Sequence, residues 1–179
     1  MQQKVGDSII SVKIQTTSGQ NVDIQDLSKG KKTILYLMRD YACVLAQYDL
    51  LLLSREYSRI TDLNAQSLFV IQTSATTAAE CLPSEIPFTV LCDPNGLIHS
   101  IYGAGSADTM ELLGNSITMA RIQSAKDIGF IHGKDEGNNL QLPAVIIFDA
   151  YGIARYTHYG KTGDDVPSVS TVVDVIKDI

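Results

Sequence analysis

The chain has 179 residues, 45% hydrophobic and 19% charged, a composition that fits one globular domain spanning residues 1–179 and excludes an extended or disordered protein. Its formal net charge of −6 argues against a nucleic-acid groove or an anionic membrane surface, because phosphate binding depends on clustered Lys and Arg. No segment approaches the roughly 18 apolar residues of a membrane span, and "MQQKVGDSIISVKIQ" has no apolar run after its lysine, so a cytoplasmic location is expected.

In chain order, "IISVKIQTTSGQNVDI" shows partial alternation broken by Ser18-Gly19 and predicts a short hairpin or two edge strands. "KKTILYLM" is an almost unbroken apolar run of strand length and predicts a strand covered on both faces. From Cys43 to about Ile60 the period changes. Val44, Tyr48, Leu51 and Leu52 fall at helical spacing, with Gln47, Asp49, Ser54 and Arg55 between them, which predicts an amphipathic helix. "SLFVIQTS" and "PFTVLCDPNG" predict two further buried strands, the second closed by a Pro-Asn-Gly turn. The stretch "SADTMELLGNSITMARIQSAKDIGF" and the polar "HGKDEGNN" predict a helical insertion over about 104–138, with Ser106 as a helix N-cap. "LPAVIIFDAYGIARYTHYG" then gives two strands joined at Asp149 to Gly152, and "VPSVSTVVDVIKDI" a final helix. This order predicts an α/β sandwich: a mixed central sheet, helices on both faces, and a helical insertion before the last hairpin.

The cysteines, Cys43, Cys81 and Cys92, are odd in number and lack zinc spacing. His99, His132 and His158 are scattered, so no metal site is predicted, and nothing in the chain calls for a cofactor. Cys43 stands at the junction of a predicted strand and helix. Unpaired N–H groups and the positive end of the helix dipole there lower a cysteine pKa from about 8.5 to roughly 3.5–7.5, and the thiolate is the nucleophile. Arg39, four residues upstream, adds positive charge. The plainer reading is a small buried hydrophobe at a helix start. Pro143 opens a late strand; the same holds for it, since a strand-start proline needs no function.

The order "TILYLMRDYAC", "SLFVIQTS", "PFTVLCDPNGLIHSIYG" and "LQLPAVIIFDAYGIARYTHYG" resembles the thioredoxin-fold redoxins, in particular the peroxiredoxin-like branch related to alkyl hydroperoxide reductase and thiol-specific antioxidant proteins. The resemblance implies a thioredoxin-like sandwich and a thiol-dependent, antioxidant oxidoreductase with Cys43 as catalytic cysteine. It also implies a cis Leu142-Pro143 bond beside the thiol, with Arg39 and Pro143 as site residues. Members of this branch often carry Cys-x-x-Cys, and the second cysteine is Ala46 here. In true peroxiredoxins the peroxidatic cysteine, the threonine three residues before it and the arginine opening the late strand fall at Ala46, Cys43 and Pro143, so that catalytic set is absent. Ala46 is compatible with a removed resolving cysteine, with a one-cysteine protein using an external thiol, or with a fold kept for binding. Cys81, after a short helix, is the better internal candidate to resolve Cys43, and Cys92 reads as a packed strand residue.

Two readings follow. One is an oxidoreductase acting on disulfides or peroxides through Cys43, with a thioredoxin-like protein or a low-molecular-weight thiol as reductant and room for a homodimer. The alternative is a non-catalytic binding module using the groove between Cys43 and Pro143.

Overall fold

The run "KTILYLM" forms β3 (Lys32–Met38), an interior strand whose alternate residues enter two different cores. In the computed structural model, which describes residues 1–179, the other strands are β1 (Lys13–Thr16), β2 (Asn21–Asp23), β4 (Ala65–Ile71), β5 (Thr89–Cys92), β6 (Ala144–Phe148) and β7 (Ala154–Tyr159). They form one sheet in the order β2-β1-β5-β4-β3-β6-β7. β3 runs parallel to β4 and antiparallel to β6, with Leu37 opposite both Val70 and Ala144. The predicted hairpin is the antiparallel pair β1–β2.

Helices cover both faces, as the element order predicted. On one face, Ile34, Tyr36 and Met38 pack with residues from α2 (Val44–Glu56), α3 (Ser58–Thr61), α4 (Ala75–Cys81) and α7 (Val169–Lys177). On the other, Leu35 and Leu37 pack with Ile24 of α1 (Ile24–Ser28), with Ile98 of α5 (Leu97–Ile101) and with Tyr102 just beyond it. Each β3 residue from Thr33 to Met38 is buried, the physical reason for its unbroken apolar character.

Three expectations are corrected. Of the expected α2 stripe Val44 is buried, but Tyr48, Leu51 and Leu52 are only half-buried, and the helix meets the sheet through Leu50 and Leu53 with neighbouring Tyr57. The helix is apolar nearly all round, so periodicity did not single out one face; Gln47 and Asp49 are themselves buried. The insertion contains one regular helix, α6 (Ser116–Asp127), rather than a mostly helical stretch. Asn115 caps it reciprocally with Thr118, and Gly114 lies so close that a Cβ there would stand 3.1 Å from the Thr118 methyl, so the helix starts at this point. Ser106 caps no helix: it forms an isolated bridge with Gln141, and its hydroxyl accepts from Asn138 Nδ2 at 2.7 Å.

Candidate active site around Cys43

β3 ends at Met38, and five residues, Arg39 to Cys43, lead into α2 with Cys43 at its N-cap. The turn is closed from within. Asp40, buried, accepts from the Cys43 N–H through Oδ1 at 3.1 Å and from the Glu136 N–H through Oδ2 at 3.1 Å. Gln47, one turn into α2, donates through Nε2 to the carbonyls of Tyr41 at 3.0 Å and Ile131 at 3.0 Å. These bonds explain why two polar residues are buried beside the cysteine: they satisfy carbonyls and an amide of a turn that has no strand partner.

A strap, residues 131–136, crosses over the turn. Its Gly133 N–H donates to the Ala42 carbonyl at 3.0 Å, and its far end is held by Glu136, which accepts from the Ser74 N–H at 2.7 Å and from the Thr77 hydroxyl at 2.7 Å. Glu136 is thus a structural tie between the strap and the start of α4.

Cys43 is a free thiol, 6% exposed, in contact with Leu45 and Ala46 and with Ile122 of α6 packed against them. Burial pushes its pKa above the ordinary thiol value, and this outweighs the Arg39 charge and the amides of Ala46 and Leu45, which pull it down; the Asp40 carboxylate adds to the rise. The low pKa expected from a helix start is therefore not found, because the cover supplied by α6 removes the water that would stabilise a thiolate. Arg39 opens the turn, its Nη1 donating to the Asn139 carbonyl at 2.9 Å and its Nε buried without an acceptor.

The thiol borders a cavity of about 350 Å³ between the start of α2 and the insertion, with Leu45, Met110, Leu113, Met119 and Ile122 as apolar wall and Arg39, Lys126 and His132 as its ionisable groups. This wall escaped sequence reasoning. The Asn115-x-x-Thr118 cap was readable, but nothing in the pattern told which face of α6 meets α2. α6 is fixed there by Arg121, which pairs with buried Asp49 of α2 and lies 5.3 Å from the Tyr48 ring centroid.

Pro143 is placed differently from expectation. The Leu142-Pro143 bond is trans, as is every peptide bond in the chain. The approach to β6 is held extended, with the Leu142 N–H donating to the Gly105 carbonyl at 2.9 Å and Gln141 Nε2 donating to the Leu142 carbonyl at 3.0 Å. Pro143 packs on Gly160, where a Cβ would stand 2.8 Å from its ring, and it does not line the cavity beside Cys43. Cys81 is exposed and borders a separate cavity with Tyr41, Gln47 and Thr77, which Ile131 and Gly133 also line, whereas His132 lines the one at Cys43. Cys92 is buried in β5 opposite Gln15, its thiol pushed up to about 11 by burial.

Comparison with known proteins agrees with this arrangement of strands and helices. The peroxidoxin BcpB of Mycobacterium tuberculosis is similar at a TM-score of 0.71 and 10% identity, over 98% of this chain and 97% of that one. AhpC of Enterococcus faecalis aligns at a TM-score of 0.64 and 14% identity, over 97% and 91%. A yeast mitochondrial 1-Cys peroxiredoxin aligns at 0.65 and 12%, over 98% and 75%. At such identities the likeness establishes the fold, which is thioredoxin-like α/β as the sequence implied. No curated protein matches the chain in sequence. The model of the AhpC/TSA family matches residues 5–157, from before β1 to within β7 and across the Cys43 turn, and the chain therefore belongs to the AhpC/TSA family, the peroxiredoxin-like oxidoreductases.

Proposed function

We propose that this chain reduces peroxides or disulfides as a one-cysteine enzyme, with Cys43 as nucleophile and an external thiol as reductant. The observation that carries the reading is that Cys43 alone of the three cysteines combines the N-cap position of a helix with a place on a cavity wall and a neighbouring guanidinium, Arg39, that is in no ion pair. With a peroxide ROOH, the thiolate attacks one oxygen, an S–O bond forms as the O–O bond breaks, and ROH leaves with a proton. Cys43 is then a sulfenic acid. An external thiol attacks that sulfur, water leaves and a mixed disulfide forms; a second thiol attacks the partner's sulfur, carries it off as a disulfide and returns the Cys43 thiol. A glutathione/thioredoxin route of this kind is described for the yeast 1-Cys relative. Ala46 has no sulfur and takes no part, and Cys81, in its own cavity, is not the resolving group. The reductant is a thioredoxin-like protein or a small thiol of the cytosol.

Because burial raises the Cys43 thiol above its ordinary pKa, thiolate is scarce near neutrality and the rate climbs with pH. The binding-module reading draws on the same burial, but the groove between Cys43 and Pro143 that it used has no counterpart here, since Pro143 does not line the cavity beside Cys43. Peptide mapping after one equivalent of peroxide and a sulfenic-acid trap separates the two. The expected product is a trapped sulfenic acid on Cys43, absent in Cys43→Ser and formed faster at pH 9 than at pH 7. Oxidation confined to Cys81 would give first place to binding without catalysis.

A further inference from the structure

The cavity beside Cys43 has a charge pattern that the redox reading does not require. The chain carries 20 acidic against 14 basic residues, yet no Asp or Glu lines this cavity, whose ionisable groups besides Cys43 are Arg39, Lys126 and His132. Two of these cations are in no ion pair, although Arg39 Nη1 donates to the Asn139 carbonyl at 2.9 Å. Neither Arg39 nor Lys126 pairs with a carboxylate, and Arg39 Nε is buried with no acceptor at all, whereas His132 Nε2 is held by Asp135 at 2.7 Å. The hydrogen-bonding capacity of the Arg39 guanidinium is therefore not used up within the chain, and its charge is left for an anion in the cavity it lines.

The rest of the cavity is hydrocarbon and thioether. Met110 and Met119 line it while remaining 60% and 62% exposed, so they form an apolar lip as well as a wall. Methionine side chains adapt to a flexible apolar chain better than branched ones do. A volume of about 350 Å³ lies at the small-molecule end of ligand sites.

We infer that the cavity between α2 and α6 is a binding site for a single-chain amphiphilic anion of the fatty-acid class, with the chain among Leu45, Leu113, Met119 and Ile122 and the carboxylate on Arg39 and Lys126. Binding needs no chemistry at Cys43, but an occupant lies against the thiol and shields it. The inference therefore goes beyond the redox reading and is tested separately from it.

The test is calorimetric titration of the full chain with decanoate below its micellar concentration, alongside decanol and decyltrimethylammonium, in wild type and in Cys43→Ser. Decanoate is expected to bind more tightly than decanol and far more tightly than the cation, in both proteins, and to slow Cys43 alkylation in wild type. Lys126→Gln, an exposed substitution, is expected to weaken decanoate about two- to fivefold, the range of an exposed ion pair. Met119→Asp, placing a carboxylate on the wall, is expected to weaken it by about tenfold or more. Equal affinity for the anion and the cation, absence of any binding, or a Met119→Asp variant with wild-type circular dichroism and undiminished decanoate affinity would each overturn the assignment. Retained binding in a protein whose Cys43 is never oxidised would leave this site standing and remove the catalytic reading.

Discussion

Asp49 couples the helix that carries Cys43 to the helix that covers it, and it does so from a buried position. Its Oδ1 faces Arg121 of α6, its Oδ2 has no hydrogen-bond partner, and the buried Tyr36 hydroxyl has none either. Burial pushes its pKa from 3.8 up to about 6, against the downward pull of Arg121 and with a small upward push from Asp164. The folded state therefore holds this proton more tightly than the unfolded chain does. The stabilisation is full below the unfolded pKa near 3.8 and is lost as pH rises through about 6. Two pKa units at 1.36 kcal/mol each set its size at about 3 kcal/mol. Asp49→Asn keeps the shape and fixes the uncharged state, while Arg121, at 29% side-chain exposure, still reaches water. Urea unfolding of both proteins between pH 4.5 and 7.5 measures the effect. The stability of Asp49→Asn relative to wild type is expected to rise with pH, by about 2 kcal/mol across the window, the rest of the effect lying below pH 4.5. A difference that stays constant with pH would refute the reasoning, because it would mean that Asp49 titrates alike in both states.

Asp93 tests a different kind of burial. Its Oδ2 accepts from the N–H groups of Ile98 at 2.9 Å and His99 at 3.1 Å and contacts His99 Nδ1 at 2.8 Å, while His99 Nε2 reaches the Met38 carbonyl at 2.9 Å. Asp93→Ala strands these donors in the interior and is expected to cost on the order of 3–5 kcal/mol in urea unfolding, against within about 0.5 kcal/mol for Asp26→Ala, whose exposed pair with Lys29 is a surface contact. Ala46→Cys places a second thiol one helical turn from Cys43, at a position 1% exposed and in the same small cluster. Wild type is expected to accumulate Cys43 adducts with glutathione that persist until an external thiol arrives, and the variant to release them faster and to turn over with a dithiol reductant, as followed by mass spectrometry. Equal adduct lifetimes would show that Cys-x-x-Ala is not a shortened redox motif.

What the sequence disclosed about the fold came from local signals that tertiary structure had no reason to overrule. β3 is readable because both its faces are covered and every position wants an apolar side chain; the turn at Asp149 to Gly152 is readable because Asp149 itself accepts from the Tyr151 and Ile153 N–H groups at 2.9 and 3.0 Å. α2 was harder. Its sequence "VLAQYDLLLLSRE" is apolar on nearly every side because it packs on the sheet through Leu50 and Leu53 and against α6 through Asp49, so no single stripe marks its inner face.

The site divides along the same line. That Cys43 ends a strand-to-helix turn with Arg39 beside it follows from spacing, and spacing is local. Its protonation is not local, since it depends on Ile122, about eighty residues downstream, lying against the cluster that contains the sulfur. A helix start favours thiolate through the nearest amides, but the amides of Ala46 and Leu45 act here on a sulfur from which water has been removed, and the loss of water is the larger effect. The insertion is thus the part of the chain that decides how reactive the cysteine is. Its grip on α2 rests on Asp49, which the sequence pattern counts among the polar positions of the helix, and on Arg121, about seventy residues away. The reactivity of Cys43 is therefore expected to follow the integrity of that buried pair more closely than its own position at the helix start.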